Sequence, residues 1–318
     1  MPWPRPWRAL LARPRARTLT LAFALPLLVA VAPLPAQTLD DGLMMSRGQL
    51  CTGFVYMHDG WDRYWEGTLE RTNGNIGTIT TQSVTWMGTF GVTDRLNVIA
   101  MVPWVTTKAS QGVLAGMDGL QDATLGLKWT ALETDLTRRG TLRAFLVASA
   151  ATPLTDYTPD FLPLSIGLGS SRASGRLTLN FQAQEGWFVE GTGAYTWRDN
   201  VRLDRPSYYT DGRLFFSDQV AMPDVVDYTF RAGYWKHGLY VPISYSEQVT
   251  LGGGDIRRQD MPFVSNRMNA ARVDATAMYF MHKPRNVVVR LQATRTISGR
   301  NVGRSTTLSA GLFYTVEF

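Results

Sequence analysis

Long segments in which apolar and polar residues alternate are the feature of this sequence that most restricts its fold. In residues 176–184, Leu177, Leu179 and Phe181 share one parity, and the residues between them are polar. Because successive side chains of a strand point to opposite faces of a sheet, this spacing predicts a strand with one apolar face. Such segments predict about twelve strands, at residues 49–58, 78–91, 95–107, 120–132, 141–152, 172–184, 187–198, 226–235, 239–250, 268–281, 287–298 and 305–318.

Short and long connections alternate between these predicted strands. The short ones lie at residues 92–94, 133–140, 185–186, 236–238 and 282–286, and the longer ones at 59–77, 108–119, 153–171, 199–225 and 251–267, with a briefer one at 299–304. Bacterial outer-membrane barrels have short turns in the periplasm and long loops outside. The pattern therefore predicts an all-β chain that forms a single transmembrane antiparallel up-and-down β-barrel of about 12 strands, with both termini in the periplasm.

A soluble β-sandwich also alternates, but three features count against it. Its strands are about five or six residues long, whereas a tilted strand that crosses a bilayer needs about 9 to 11, as here. The apolar parity carries aromatic residues near predicted strand ends, as membrane interfaces favour. The other parity is too charged for a dry core, because each unpaired buried ion costs several kcal/mol. The outward aromatic residues are Trp86, Trp104, Trp129, Trp187, Trp197, Tyr228 and Tyr279.

By the same parity, a polar set of side chains is predicted to line the lumen. A mixed set of charges is compatible with a selective aqueous path, because rings of charge tune pore selectivity. It is equally compatible with a salt-bridged plug, and the sequence leaves both open. The predicted lumen-lining residues are Asp122, Lys128, Arg143, Arg176, Asn180, Glu190, Asp227, Arg231, Arg272, Asp274 and Arg290.

The first 36 residues have the composition of a cleaved secretory signal peptide. An arginine-rich start precedes an apolar run at residues 19–32 and a small-residue exit at Ala36, so residues 1–36 are predicted to be the leader and 37–318 the outer-membrane barrel. Five of the 32 basic residues lie in the leader, which leaves 27 against 26 acidic residues. Nucleic acid is therefore not an expected partner. Cys51 is the only cysteine, so no intramolecular disulfide is expected in the exported protein.

The chain ends on an alternating apolar parity that closes with an aromatic residue, at Leu312, Tyr314, Val316 and Phe318. This ending resembles the C-terminal targeting signal of bacterial outer-membrane barrels, which the barrel-assembly machinery reads. The resemblance implies a Gram-negative outer-membrane location, with the lipid bilayer and that machinery as partners.

A more particular similarity lies within residues 88–132. It comprises the segment 88–98 (GTFGVTDRLNV), then Val102-Pro103-Trp104, and then residues 119–128, in which a Gly-Asp pair is spread over Gly119 and Asp122. These residues resemble the outer-membrane family named for the meta-pathway of phenol degradation, whose members are regarded as candidate transporters. Membership implies a porin-like barrel and the passage of small aromatic or hydrophobic molecules. In the turn itself, Asp94 is expected to accept backbone N–H groups and Gly91 to relieve crowding.

The sequence offers little for catalysis or for cofactors. A hydrolase needs a nucleophile activated by a base, but His237 and His282 fall in predicted turns, and His58 lacks the neighbouring serine pattern of outer-membrane phospholipases. Residues 252–255 and 118–122 carry carboxylates without a full calcium-ligand set. No enzyme activity, metal or cofactor is therefore expected.

The long loops hold aromatic clusters that either capture a solute or pack the loops over the mouth. These residues are Trp61, Tyr64, Trp65, Tyr208, Tyr209, Phe215 and Phe216. We expect a channel that passes small, aromatic or hydrophobic molecules by passive diffusion. The alternatives are an adhesive or structural barrel whose loops bind partners and an outer-membrane lipid hydrolase.

Overall fold

The computed structural model describes residues 37–137, 139–257, 261–281, 283–284 and 286–318, and the predicted signal peptide lies outside them. Within these residues, twelve antiparallel strands form a closed barrel in which the first strand pairs with both the second and the last. The strands are β1 Gln49–Trp61, β2 Ile79–Thr93, β3 Leu96–Ala109, β4 Asp122–Thr137, β5 Gly140–Pro153, β6 Arg172–Ala183, β7 Trp187–Arg198, β8 Val225–Lys236, β9 Leu239–Thr250, β10 Asn269–Phe280, β11 Val287–Arg300 and β12 Thr306–Glu317.

The predicted strand number and antiparallel order are confirmed. The largest difference in strand bounds, at β4, has a local cause. β4 continues to Thr137, where a loop was predicted from residue 133. There the Arg143 guanidinium donates to Glu133 Oε1 at 2.9 Å, and the Thr141 hydroxyl donates to Asp135 at 2.7 Å. These cross-strand pairs extend the β4–β5 hairpin beyond its apolar part.

The outer wall of the barrel carries the apolar parity. All seven aromatic residues predicted to face outward are exposed, from 38% for Trp86 to 65% for Trp187. An exposed apolar band of this extent matches the lipid-facing surface of an outer-membrane barrel. Among the residues described, no helix has the length and apolar character to cross a bilayer.

One end of the barrel, here called the loop end, is covered by packed loops. Short strands pair within the loops: Arg63–Glu66 with Leu69–Thr72, Val201–Arg202 with Gln219–Val220, and Tyr208–Thr210 with Arg213–Phe215. A further strand, Asp118–Leu120, pairs with β3. The loops share a small apolar core of Val201, Leu203, Val220, Met222, Phe263 and Val264.

The opposite end, here called the turn end, contains the short hairpin turns and is filled from within by residues 37–48, here called the inner segment. Leu43 and Met45 of this segment are 1% exposed. They pack in an apolar cluster with inward-facing wall residues Cys51, Met87, Phe188, Tyr240, Met278, Phe280, Val288 and Phe313. The parity argument predicts a polar lumen, and at this end the inward side chains are apolar instead. The cluster also explains why β1 alternates poorly, since Cys51 and Val55 face inward although they are apolar.

Candidate solute path

The inner segment is folded on itself by its own side chains. Asp41 Oδ2 accepts hydrogen bonds from the Thr38 backbone N–H at 2.6 Å and the Thr38 hydroxyl at 2.8 Å. Asp41 Oδ1 accepts from the Leu43 N–H at 3.1 Å, and Gln37 accepts from the Met45 N–H at 3.1 Å. Because these bonds satisfy backbone donors without a sheet, the segment keeps a defined shape inside the lumen.

A buried lysine on β4 holds the segment to the wall. Lys128 is 0% exposed, and its Nζ lies 2.8 Å from Asp41 Oδ1, 2.5 Å from the Asp41 carbonyl and 3.1 Å from the Thr38 carbonyl. Its ammonium also lies 5.4 Å from the centre of the Phe145 ring. All three N–H donors therefore have oxygen partners, which a buried ammonium requires.

The opposite wall contacts the segment through two arginines and a glutamate. Arg231 pairs with Glu190 and donates to the Asp40 carbonyl at 2.8 Å. The Asp40 carboxylate lies 3.8 Å from Arg231 and 3.6 Å from Arg176, longer than hydrogen bonds. Enclosure in the barrel interior would raise the pKa of Asp40, although half of its side chain is accessible there, but Arg176 and Arg231 outweigh this effect and the pKa lies below its usual value. Asp40 is therefore a loosely held internal anion.

Close contact at Gly42 fixes the position of the segment. A Cβ atom there would lie 2.6 Å from both Asn180 Nδ2 and Glu190 Oε2, and the Asn180 amide donates to Glu190 at 3.2 Å. A larger residue would have to push this pair of side chains aside.

Gly91 of β2 and Asp94 of the turn that follows it hold the end of the inner segment that leads into β1. A Cβ atom at Gly91 would lie 2.0 Å from the Ser46 carbonyl oxygen, so this glycine makes room for the segment. The Gly91 carbonyl accepts from the Gly48 N–H at 2.8 Å, and Asp94 accepts from the Arg47 N–H at 3.0 Å. Asp94 does accept a backbone N–H, as predicted, but the donor belongs to the inner segment rather than to its own turn.

Cavities remain on both sides of the segment. Two of about 210 and 220 Å³ meet at Asp40, Thr229 and Ser246. A third, of about 220 Å³, lies towards the turn end and is lined by Met44 and Ser46 of the segment. The segment therefore lies between the space on its Asp40 side and the space at the turn end.

The predicted lumen-lining residues fall into three groups. Lys128, Asn180, Glu190 and Arg231 contact the inner segment, and Arg176, Asp227, Arg272, Asp274 and Arg290 line the two cavities at Asp40. The remaining two lie nearer the ends of the barrel and pair with other side chains. Asp122 accepts from Arg172 and Tyr157 at 2.7 Å each, and Arg143 pairs with Glu133. Their role in solute passage stays a prediction.

The inner segment was not predicted from the sequence. The one feature of the sequence that indicates it is the adjacent acidic pair Asp40-Asp41, which precedes the first strand of a barrel whose inward parity holds six basic residues. Opposite charges enclosed in a narrow lumen attract strongly because little water screens them.

The loop aromatics divide between packing and exposure. The Trp61 ring lies 6.4 Å from that of Tyr64, Trp65 is buried against Gly299, and Tyr208 stacks on Phe215 with ring centres 5.1 Å apart. Phe216 is 86% exposed and Tyr209 is 52% exposed. Packing therefore accounts for Trp65 and Tyr208, whereas Tyr209 and Phe216 are free to meet a solute.

A single asparagine joins three loops at the mouth. Asn301 accepts hydrogen bonds from the Gly67 N–H at 2.8 Å and the Ile256 N–H at 3.0 Å, and it donates to Asp255 at 2.8 Å. Asp255 also accepts two bonds from Arg300, at 2.7 and 2.6 Å. The hydrogen bonds from Arg300 are the main reason that the pKa of Asp255 falls to about 2.

We expect the hydrogen bonds of Asp255 with Arg300 and Asn301 to survive moderate acid. A carboxylate with a lowered pKa stabilises the folded loops fully above its unfolded pKa of 3.8 and loses that contribution as the pH falls through about 2. Pepsin should therefore leave residues 251–257 intact at about pH 4 and cut them near pH 2. Asp255→Asn should be cut at both values, and a variant as resistant as the parent at the higher pH would contradict this.

The histidines and acidic clusters were considered as metal-binding or reactive groups, and the structure describes most of them. The described residues contain no group of three or more His, Cys, Asp or Glu side chains placed to hold a metal. His58 contacts Gln82 at 3.3 Å, and His282 lies outside the described residues. In the two acidic candidates for calcium, Asp255 is paired with Arg300 and Asp122 with Arg172.

No family model matches the chain, and no curated protein matches it. Among solved structures, it is similar to a COG4313 outer membrane channel from Pseudomonas putida F1, with 16% identity and a TM-score of 0.67 over 87% of this chain and 99% of that one. The translocator domain of the autotransporter NalP from Neisseria meningitidis gives 10% identity and a TM-score of 0.44, over 86% of this chain and 89% of that one. The first likeness supports the barrel fold.

Proposed function

We propose that this protein is an outer-membrane channel that passes small, aromatic or hydrophobic molecules by passive diffusion. The observation that carries the proposal is the pair of polar cavities inside a closed barrel whose exterior is apolar. Such a barrel encloses water within lipid, and its charged lumen gives a route that hydrocarbon does not. The relative of similar fold is itself described as an outer membrane channel.

The same proposal includes the export route and the family. An apolar parity ending at Phe318 and the leader at residues 1–36 support secretion followed by assembly into the outer membrane. The turn at residues 91–95 supports membership of the family named for the meta-pathway of phenol degradation. The proposed path runs between the loops near Tyr209 and Phe216, through the Asp40 cavities, and past the inner segment. It needs no covalent step.

The proposal is tested by swelling of liposomes that contain the purified full chain, with a panel of aromatic and sugar solutes. We expect influx of small aromatic solutes and exclusion of those too large for cavities of about 220 Å³. Empty liposomes are the control. The absence of influx for every solute would contradict the channel function.

Ion preference tests the same path electrically. Arg272 lines one cavity with Arg176, Asp227 and Asp40. Replacing it by Glu changes the local charge by two units, so the reversal potential in planar bilayers should shift towards cations. Arg202, which is exposed in a loop and paired with Asp218, provides the matched control Arg202→Glu. Equal shifts for the two variants would contradict a path through the cavity.

A further inference from the structure

We propose that the cavity of about 210 Å³ beside Asp40, which Tyr240 and Arg290 line, is a binding site for small aromatic carboxylates. Such a ligand competes with Asp40 for the arginine side chains and so loosens the inner segment. This inference rests on the proposed channel function and names the substrate class of its path.

The cavity has donors that no protein group satisfies. Tyr240 and Arg290 both line it, and Tyr240 is 4% exposed. The Tyr240 hydroxyl and Arg290 Nε are buried without a hydrogen-bond partner in the part of the chain that the structure describes. Burying a donor without a partner is unfavourable, so such groups indicate a missing acceptor. A carboxylate supplies two acceptor oxygens.

The anion already present does not satisfy this wall. The Asp40 carboxylate stays 3.8 Å from Arg231 of this cavity and 3.6 Å from Arg176 of the adjoining one, whereas a well-formed charged hydrogen bond is about 2.7–2.9 Å long. The two other carboxylates of the lining have their own partners, since Asp41 pairs with Lys128 and Asp274 accepts from Ser244 and Gln292. About half of the Asp40 side chain remains accessible. A free carboxylate is not tethered by the chain, so it is able to reach the donors that Asp40 cannot.

Three residues give the otherwise polar cavity some apolar surface. These are Pro242, Met278 and the ring of Tyr240, which stacks on Phe188 with ring centres 5.2 Å apart. The volume of about 210 Å³ exceeds the roughly 150 Å³ of an engineered cavity that holds benzene. A single ring bearing a carboxylate therefore fits the space, with Arg290 and the Tyr240 hydroxyl as donors for the carboxylate and Pro242 and Met278 as contacts for the ring.

Loss of the contacts of Asp40 weakens the attachment of the whole inner segment. Asp40 lies between Leu39 and Asp41, whose partners are the wall residues Gly126 and Lys128. A ligand that takes the arginines from Asp40 removes one of the attachments of the segment, leaving the Lys128 contact and the apolar cluster to hold it. The segment should then open more often.

The test is calorimetric titration of the full chain in detergent with benzoate, with acetate and benzyl alcohol as probes that lack the ring or the charge. We expect benzoate to bind at least about tenfold more tightly than either. Tyr240→Phe keeps the ring that stacks on Phe188 but removes the hydroxyl, and Arg290→Gln removes the charge. Each should weaken benzoate about tenfold, whereas Arg202→Gln in a loop should not.

The decisive variant is Asp40→Asn. If Asp40 is an internal competitor, its neutralisation should tighten benzoate binding about tenfold. A purely structural Asp40 would leave the affinity unchanged or weaken it. Benzoate should also speed hydrogen exchange of the amides of residues 38–45 in the parent chain.

The outcomes separate this inference from the channel function. Equal affinity for benzoate and benzyl alcohol, or an Asp40→Asn variant that binds benzoate no more tightly, would overturn the inference even if neutral solutes still cross liposomes. Benzoate binding with the expected variant pattern, but without passage of any solute, would instead uphold the site and overturn the channel.

Discussion

A refolded chain that begins at Arg47 should conduct far more current than one that begins at Gln37. Side chains of the wall fill the interior of an eight-stranded barrel, but twelve strands enclose more space, which here is occupied by the inner segment. Its removal joins the cavities at Asp40 to the one lined by Met44 and Ser46. We expect single-channel conductance in planar bilayers to rise on the order of tenfold.

The truncation keeps the contacts that fix the ends of the chain. Arg47 and Gly48 remain, and the Gly48 carbonyl still accepts from the Phe318 N–H at 3.0 Å. Correct folding is checked by the different gel mobility of boiled and unboiled samples. Equal conductance of the two folded chains would show that the segment does not obstruct the path.

A disulfide provides the converse experiment if the truncated chain fails to fold. A Cβ atom at Gly126 would lie 2.4 Å from Leu39 Cδ2, so these two positions face each other and we expect cysteines placed there to pair. In a Cys51→Ala background, the oxidised Leu39→Cys, Gly126→Cys protein should stay at its lowest conductance, and a reductant should restore fluctuation to higher levels. Oxidation without effect on these fluctuations would contradict a moving segment.

The second large effect is expected at the buried ion pair between Lys128 and Asp41. Removing one partner of such a pair costs about 3–5 kcal/mol, because the other charge stays buried without compensation. Asp41→Asn keeps one side-chain oxygen, enough for the bonds from Thr38 at Oδ2, but it loses the acceptor of the Leu43 N–H at Oδ1 and leaves the Lys128 ammonium without its counter-charge. We expect hydrogen exchange of the amides of residues 38–45 to accelerate at least about a hundredfold, through opening of the segment.

A double variant distinguishes charge imbalance from a general loss of packing. Lys128→Met in the Asp41→Asn background removes both charges and fills a similar volume, so protection should largely return. Asp218→Asn, which breaks an exposed pair with Arg202, should leave exchange of the segment unchanged, since surface ion pairs contribute about 0–1 kcal/mol. Protection that is unaffected in Asp41→Asn, or not recovered in the double variant, would contradict the role of this pair.

At the loop end, composition predicts that aromatic residues are present but not whether each one packs or stays exposed. The aromatic residues of the first and fourth loops are equally suited to capture or to packing. Trp65 is buried against Gly299, which lies more than two hundred residues later in the chain, whereas Phe216 is exposed. The difference depends on which loops meet across the mouth, and no local pattern encodes that.

The barrel wall was determined by the sequence alone. A period of two places one parity outward and the other inward, and lipid outside with water inside allows one closed arrangement that satisfies both faces and every strand edge. The rule fails at the turn end, where wall residues such as Cys51, Met87 and Phe188 face inward although they are apolar. Only the tertiary structure decided what fills the lumen. The inner segment has no periodic pattern, and its contacts with Lys128, Arg176 and Arg231 come from three strands whose inward side chains converge only once the barrel has closed. Long-range attraction between enclosed charges, rather than any local preference, places Asp40 and Asp41 there.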